Sequence, residues 1–137
     1  MSNMTVTDID TGDVELDESE FEDGVINFSG ADTLVRGTIL ARHTGTLKWQ
    51  IYVKGGSSNG NGTPQGVLSH ELVATGSGDL PLRAMIKGTV NTRRLVIDAD
   101  GDASNIDATV RDLLRAHGIT PVDVDQVGGA SFTDEDS

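Results

Sequence analysis

Apolar and polar positions alternate with a period of two along most of this chain, and the period changes once. Val25-Ile26-Asn27-Phe28 reads as a short strand closed by the turn residues Ser29-Gly30-Ala31-Asp32. Leu34 to Leu40 reads as a second strand, with Gly37 as a bulge or close backbone approach. Trp49, Ile51 and Val53 alternate with Gln50, Tyr52 and Lys54, which predicts a third strand with Trp49, Ile51 and Val53 on one face. Val67 to Val73 and Leu82 to Val90 read as two more strands parted by a turn from Ala74 to Pro81, and Leu95-Val96-Ile97 is a further apolar stretch.

The change of period comes after Ser104. Ile106, Val110, Leu113 and Leu114 stand at i, i+4, i+7 and i+8, one face of a helix. Ser104 with Asp107 resembles a capping box in which Asp replaces the usual Glu or Gln. Arg111, Arg115 and His117 lie toward the C-terminal end, where the helix dipole favours cations, Gly118 suits the C′ position, and Pro121 follows. The expectation is a mostly β fold with one helix over about residues 105–117. The body runs over residues 25–122, between an N-terminal arm, residues 1–24, and a C-terminal tail, residues 123–137. Trp49, Ile51 and Val53 are its candidate core or subunit-interface residues.

Charge sharpens this division. The formal net charge is -12, but residues 1–24 hold nine acids and no Lys or Arg, and the residues after Gly118 hold five acids and no base. All ten Lys and Arg lie between Arg36 and Arg115 beside eight acids, so the body is near neutral and the ends carry the charge. Such ends repel nucleic acid and anionic lipid, so neither is an expected partner. The arm is not featureless: Val14, Leu16, Phe21, Val25, Ile26 and Phe28 are dispersed through and just beyond it, and Val14 and Leu16 share strand parity. Extended, about 24 residues span roughly 80 Å, enough to reach a neighbour by strand addition.

Composition removes several chemistries. With no cysteine there are no disulfides or thiolate metal sites, and no apolar run approaches the roughly 20 residues of a membrane span. Met1-Ser2-Asn3-Met4-Thr5 has no basic region ahead of an apolar stretch and does not read as a signal peptide. His43, His70 and His117 stand in no ligand or catalytic spacing. The glycine-rich loop from Gly55 to Gly66 lacks the Lys of a phosphate-binding loop and precedes no helix. Asp98, Asp100 and Asp102 have the spacing that opens a calcium loop, but Ala103 stands where the loop needs Gly and Thr109 where it needs Glu. No catalytic, metal or cofactor residue is assigned, and no cofactor is expected.

The order of elements resembles the lambda-type phage head decoration protein family over about residues 25–122. Leu34-Val35-Arg36-Gly37-Thr38-Ile39-Leu40 is similar to the family's opening strand, Trp49 to Val53 to the strand after it, and Gly66-Val67-Leu68 to its return strand. Lys87-Gly88-Thr89-Val90 followed by Leu95, and the late helix with His117-Gly118-Ile119, resemble its C-terminal elements. The resemblance implies a β-clip-like domain. It implies a homotrimer on three-fold and quasi-three-fold positions of an expanded capsid, clamping the major capsid protein against packaged DNA. It also implies an arm that adds to a capsid strand, for which Val14, Leu16, Phe21, Val25, Ile26 and Phe28 are the candidate capsid-binding residues, and a location on the outer virion surface after assembly in the host cytoplasm. Two other readings stand beside it: a trimeric β-clip nucleotide hydrolase of the dUTPase sort, and an adaptor of another assembly.

Overall fold

In a computed structural model describing residues 19–123, the alternating segments become eight strands. They are β1 (Glu20–Phe28), β2 (Asp32–Leu34), β3 (Ile39–Arg42), β4 (Trp49–Ile51), β5 (Pro64–Leu68), β6 (Leu72–Ala74), β7 (Gly78–Asn91) and β8 (Ile119–Val122). The helix, α1, spans Ala108–Ala116, and a single 3-10 turn covers Thr92–Arg94. The fold is mostly β with one helix.

Strands β1, β4, β3, β5 and β7 lie side by side in that order, and β1 also pairs antiparallel with β7, which closes the sheet on itself. Glu20 stands opposite Lys87 at one end of that closing ladder and Phe28 opposite Gly78 at the other. Strand β8 adds in parallel to the last four residues of β7, and β2 with β6 forms a separate two-stranded ribbon. Because successive side chains point to opposite faces, the closed sheet separates two cores. Inside are Ile26, Phe28, Leu40, Trp49, Leu68, Leu82 and Ala84, together with Leu34, Leu72 and Ala74 of the ribbon. Outside, α1 covers Ile39, Ala41, Val67, Met85 and Val90 with its own Val110 and Leu114.

Trp49 fills the inner core. A methyl group on Gly24 of β1 or on Gly66 of β5 would lie 2.7 Å from the indole, so the ring is seated between two strands that carry no side chain there. The Arg42 guanidinium stands over the indole, 4.0 Å from the ring centroid, a cation–π contact at the barrel's edge. Arg42 is held in turn by Glu22, Nη2 to Oε1 at 2.9 Å. This explains why β1 begins five residues before the expected Val25. Glu22 and Gly24 read as polar arm residues, but both occupy inward-facing positions that Arg42 and the indole satisfy.

Two expected strands are each divided. Leu34 to Leu40 breaks at Gly37, whose φ of +97° a side chain would resist, and Thr38 closes the bend by donating its hydroxyl to the Val35 carbonyl at 2.7 Å. Val67 to Val73 breaks at Ser69 and His70, which bond to the backbone of Arg83 instead of extending the strand. The third strand ends at Ile51, so its parity fails: Tyr52, not Val53, is buried. The helix starts later than expected because Asp107 is itself the N-cap, accepting from the Val110 N–H at 3.1 Å. Ser104 donates its N–H to Asp102 and takes no part in the cap. Lys54 fixes this helix end to the glycine-rich loop, bridging Asp107 at 2.9 Å and donating to the Asn105 carbonyl.

Two outcomes follow. Gly66→Ala drives a methyl group into the indole and should lower stability by about 1–3 kcal/mol, the usual penalty for overpacking. Urea denaturation checks this, and the penalty should shrink when the same change is made on Trp49→Phe, which removes the atoms struck. The second outcome concerns Asp98, whose carboxyl is held above its ordinary 3.8, first by burial and second by the facing charge of Asp32. A raised carboxyl pKa stabilises the fold below 3.8, and that contribution is lost as pH rises through the folded value. Asp98→Asn, neutral throughout, should therefore melt higher than the parent at pH about 7. The gap should close as acid takes both forms below 3.8.

Candidate functional site

Strand β1 is the element by which the acidic N-terminal segment joins the body. Its odd-numbered residues face out of the barrel: Phe21 is 41% exposed and Val25 36%, with the carboxylate of Asp23 between them. Opposite, Pro81 and Arg83 of β7 face out as well, and Arg83 Nε bonds Asp23 at 2.9 Å. That pair holds the Asp23 carboxyl below its ordinary value, first through the hydrogen bond and then through the charge. The outer face of the β1–β7 ladder thus presents two apolar side chains flanking one ion pair.

The β3–β4 connection is the second prominent surface. His43 Nδ1 accepts from the backbone N–H groups of Gly45 and Thr46, both at 3.1 Å, which caps the turn. Leu47 follows with φ +62°, a backbone region costly for a branched residue, and it is 66% exposed. Arg42, already stacked on Trp49, donates Nη1 to the Leu47 carbonyl at 3.2 Å, so the strained residue is tied to the barrel core. Lys48 closes the turn's other side against Asp79 at 2.7 Å, and Asn27 shares that carboxylate. Both donors hold Asp79 below the usual carboxylate range.

Of the six arm residues expected to meet a partner, Val14 and Leu16 lie outside the described residues. Phe21 and Val25 lie on the outer face just described. Ile26 and Phe28 do not belong to any arm: both are buried in the inner core, packed with Trp49 and Leu82. Among the core or interface candidates, Trp49 is buried within the single chain, Ile51 is half-buried, and Val53 is 41% exposed. Sequence reasoning missed Arg42 and Leu47. A signal for Arg42 was present in its place two residues beyond Leu40 on a strand whose partner carries the sole tryptophan, whereas the positive φ of Leu47 has no sequence signal.

The histidines have structural partners. His70 accepts from the Arg83 N–H at Nε2 and meets the Glu71 carbonyl through Nδ1, and His117 caps the C-terminal end of α1. Among the described residues no three His, Asp or Glu side chains converge as they would around a metal ion, and no helix is long and apolar enough to cross a membrane.

No curated protein matches the chain significantly. Residues 11–119, well over half of the sequence, match the family described as bacteriophage lambda head decoration protein D. That family is a structural component of the capsid, which sets aside the nucleotide-hydrolase reading. The chain belongs to the bacteriophage lambda head decoration protein D family and is a head decoration protein of a phage capsid.

Proposed function

We propose that this protein works as a homotrimer on the outer surface of the expanded capsid. There it binds the major capsid protein at three-fold and quasi-three-fold positions and stabilises the shell against the pressure of packaged DNA. Before assembly it resides in the host cytoplasm. The family match carries this reading. It is supported by the form of β1, a strand locked into the barrel along nine residues whose outer face carries Phe21 and Val25. The segment ahead of β1, with Val14 and Leu16 at one parity, reaches a capsid strand and adds to it, and its acids meet basic groups or solvent. A trimer on a matching three-fold site makes its second and third contacts intramolecularly, so individually weak contacts give slow release.

The structure changes where the arm is best cut. Removing residues 1–24 would strip β1 of Glu20 to Gly24 and with them the Glu22–Arg42 pair and half of the closing ladder. Removing residues 1–18 leaves β1 whole. The shortened chain should keep the parent's circular dichroism and melting temperature, sediment as a trimer, and co-sediment poorly with undecorated capsids. The full chain's binding should weaken as salt rises, since exposed ion pairs are screened. Binding by the shortened chain equal to that of the full chain, or a monomer at the concentrations at which capsids are decorated, would overturn the proposal.

A further inference from the structure

The glycine-rich loop between β4 and β5 contains two Asn-Gly pairs, Asn59-Gly60 and Asn61-Gly62. Before a glycine, the next backbone nitrogen can reach the asparagine side-chain amide readily, because no Cβ stands in the way. The fold treats the two pairs differently. Asn61 is tied down: its N–H donates to the Ser58 carbonyl at 3.0 Å and its carbonyl accepts from the Val53 N–H at 2.9 Å. Its side-chain Oδ1 accepts from the Ser58 N–H at 3.1 Å. Gly62 behind it lies against the Gly56 carbonyl, where a methyl group would not fit.

Asn59 and Gly60 have φ of +51° and +83° and stand at the centre of the turn that the Asn61–Ser58 bond closes, the pattern of a type I′ turn. Asn59 is exposed, and neither its side chain nor the Gly60 N–H has a hydrogen-bond partner among the described residues. Its carbonyl is held instead. It accepts from the Thr44 N–H in the β3–β4 turn at 3.0 Å and from Gln50 Nε2 of β4 at 2.9 Å. The attacking nitrogen and the amide it would attack are thus both unrestrained at Asn59, and both restrained at Asn61.

We propose that Asn59 is a site of spontaneous modification, at which water replaces ammonia and leaves an isoaspartyl link beside the β3–β4 turn. Gly60 N loses its proton to solvent and attacks Asn59 Cγ. The N–Cγ bond forms, the Cγ–Nδ2 bond breaks, and ammonia leaves with a proton from solvent. Water then opens the cyclic imide at the former main-chain carbonyl. The chain now runs through Cβ and Cγ, and that carbonyl has become a carboxylate. Thr44 N–H and Gln50 Nε2 already point at its oxygen, and hydrogen bonds to an ionised acceptor are the stronger kind. The fold therefore receives the isoaspartyl product with two donors. The product also adds a negative charge next to the turn that presents Leu47. A protein built into a particle is not renewed, so the change accumulates with the particle's age.

The test incubates the full chain, folded and in urea, and digests it with trypsin. Cleavage after Lys54 and Arg83 releases one peptide that carries both pairs. Electron-transfer fragmentation locates the mass gain and separates isoaspartate from aspartate. In urea the two sites should react at similar rates. In the folded chain Asn59 should react several-fold faster than Asn61, mainly to isoaspartate, and faster as pH rises. NMR of the aged protein should show shifted Thr44 amide and Gln50 side-chain signals with the β7 amides unchanged. Asn59→Gln, which would have to close a larger and slower ring, should not develop those shifts. Asn61 reacting as fast as Asn59 in the folded chain overturns the proposal. So does an Asn59 that stays intact while the unfolded chain is consumed, a product that is aspartate alone, or Thr44 and Gln50 signals that do not move.

Discussion

The indole of Trp49 spans the inner core between β1 and β5, and it fits only because Gly24 and Gly66 leave it room. Interiors are packed so densely that one methyl group is felt, so this fit fixes the distance between two strands that are far apart in sequence. It also determines what surrounds the ring. Arg42 stacks on its face, Glu22 neutralises Arg42, and the Leu47 carbonyl is held by the same guanidinium. The indole Nε1 has no hydrogen-bond acceptor among the described residues, a cost of about 1–3 kcal/mol. Burying so large a ring offsets that cost, and the site therefore depends on volume and not on polar pairing.

Strand β7 connects this inner core to everything else. It pairs with β1, β5 and β8 along its length, and its two faces serve opposite cores: Leu82 and Ala84 the inner and Met85 the outer, and, past the register shift between Met85 and Lys87, Val90 the outer as well. The helix is a cover for the outer core, fastened at its N-cap by Lys54 and in its first half by Arg111, which bridges Asp123 at 3.1 Å. Phe21, Val25 and Leu47 are thus carried on elements whose backbones are fixed by the barrel. A rigid surface of this kind loses little conformational entropy on docking.

The fold class was legible because hydrophobic period is a local property. The alternation around Val25 to Phe28 and Leu82 to Val90, and the spacing of Val110 with Leu114, each report one face of one element. What escaped was set by partners distant in the chain. The strand character of Glu20 to Gly24 depends on Arg42 and Trp49. The burial of Tyr52 depends on where β4 stops, and β8 depends on the free edge of β7. The likeness in element order gave the family. Composition placed Arg36, Arg93 and Arg94 in the body, but only the Thr38–Val96 bridge and the bend at Gly37 bring Arg36 to the same depression as Arg93 and Arg94.

The closing ladder between β1 and β7 also has a temporal meaning. Its pairs join residues 50 to 67 positions apart, from Phe28 with Gly78 to Glu20 with Lys87. Strand β1, the first of the described strands to leave the ribosome, therefore waits for nearly the last one before its long ladder can form, because β4 offers it only the pairing of Ile26 with Trp49. Long-range pairing of this kind makes for slow folding, because loop-closure entropy is lost before contacts compensate it. Until then β1 is an edge left open along most of its length, bearing Phe21, Val25, Ile26 and Phe28, the sort of segment that joins other chains indiscriminately. Glu20, Glu22 and Asp23 lie within that edge, and the acids ahead of it extend the same negative charge. Like charges on identical nascent chains repel one another. The acidity that reads as a property of the finished surface thus also protects the unfinished molecule from its own copies.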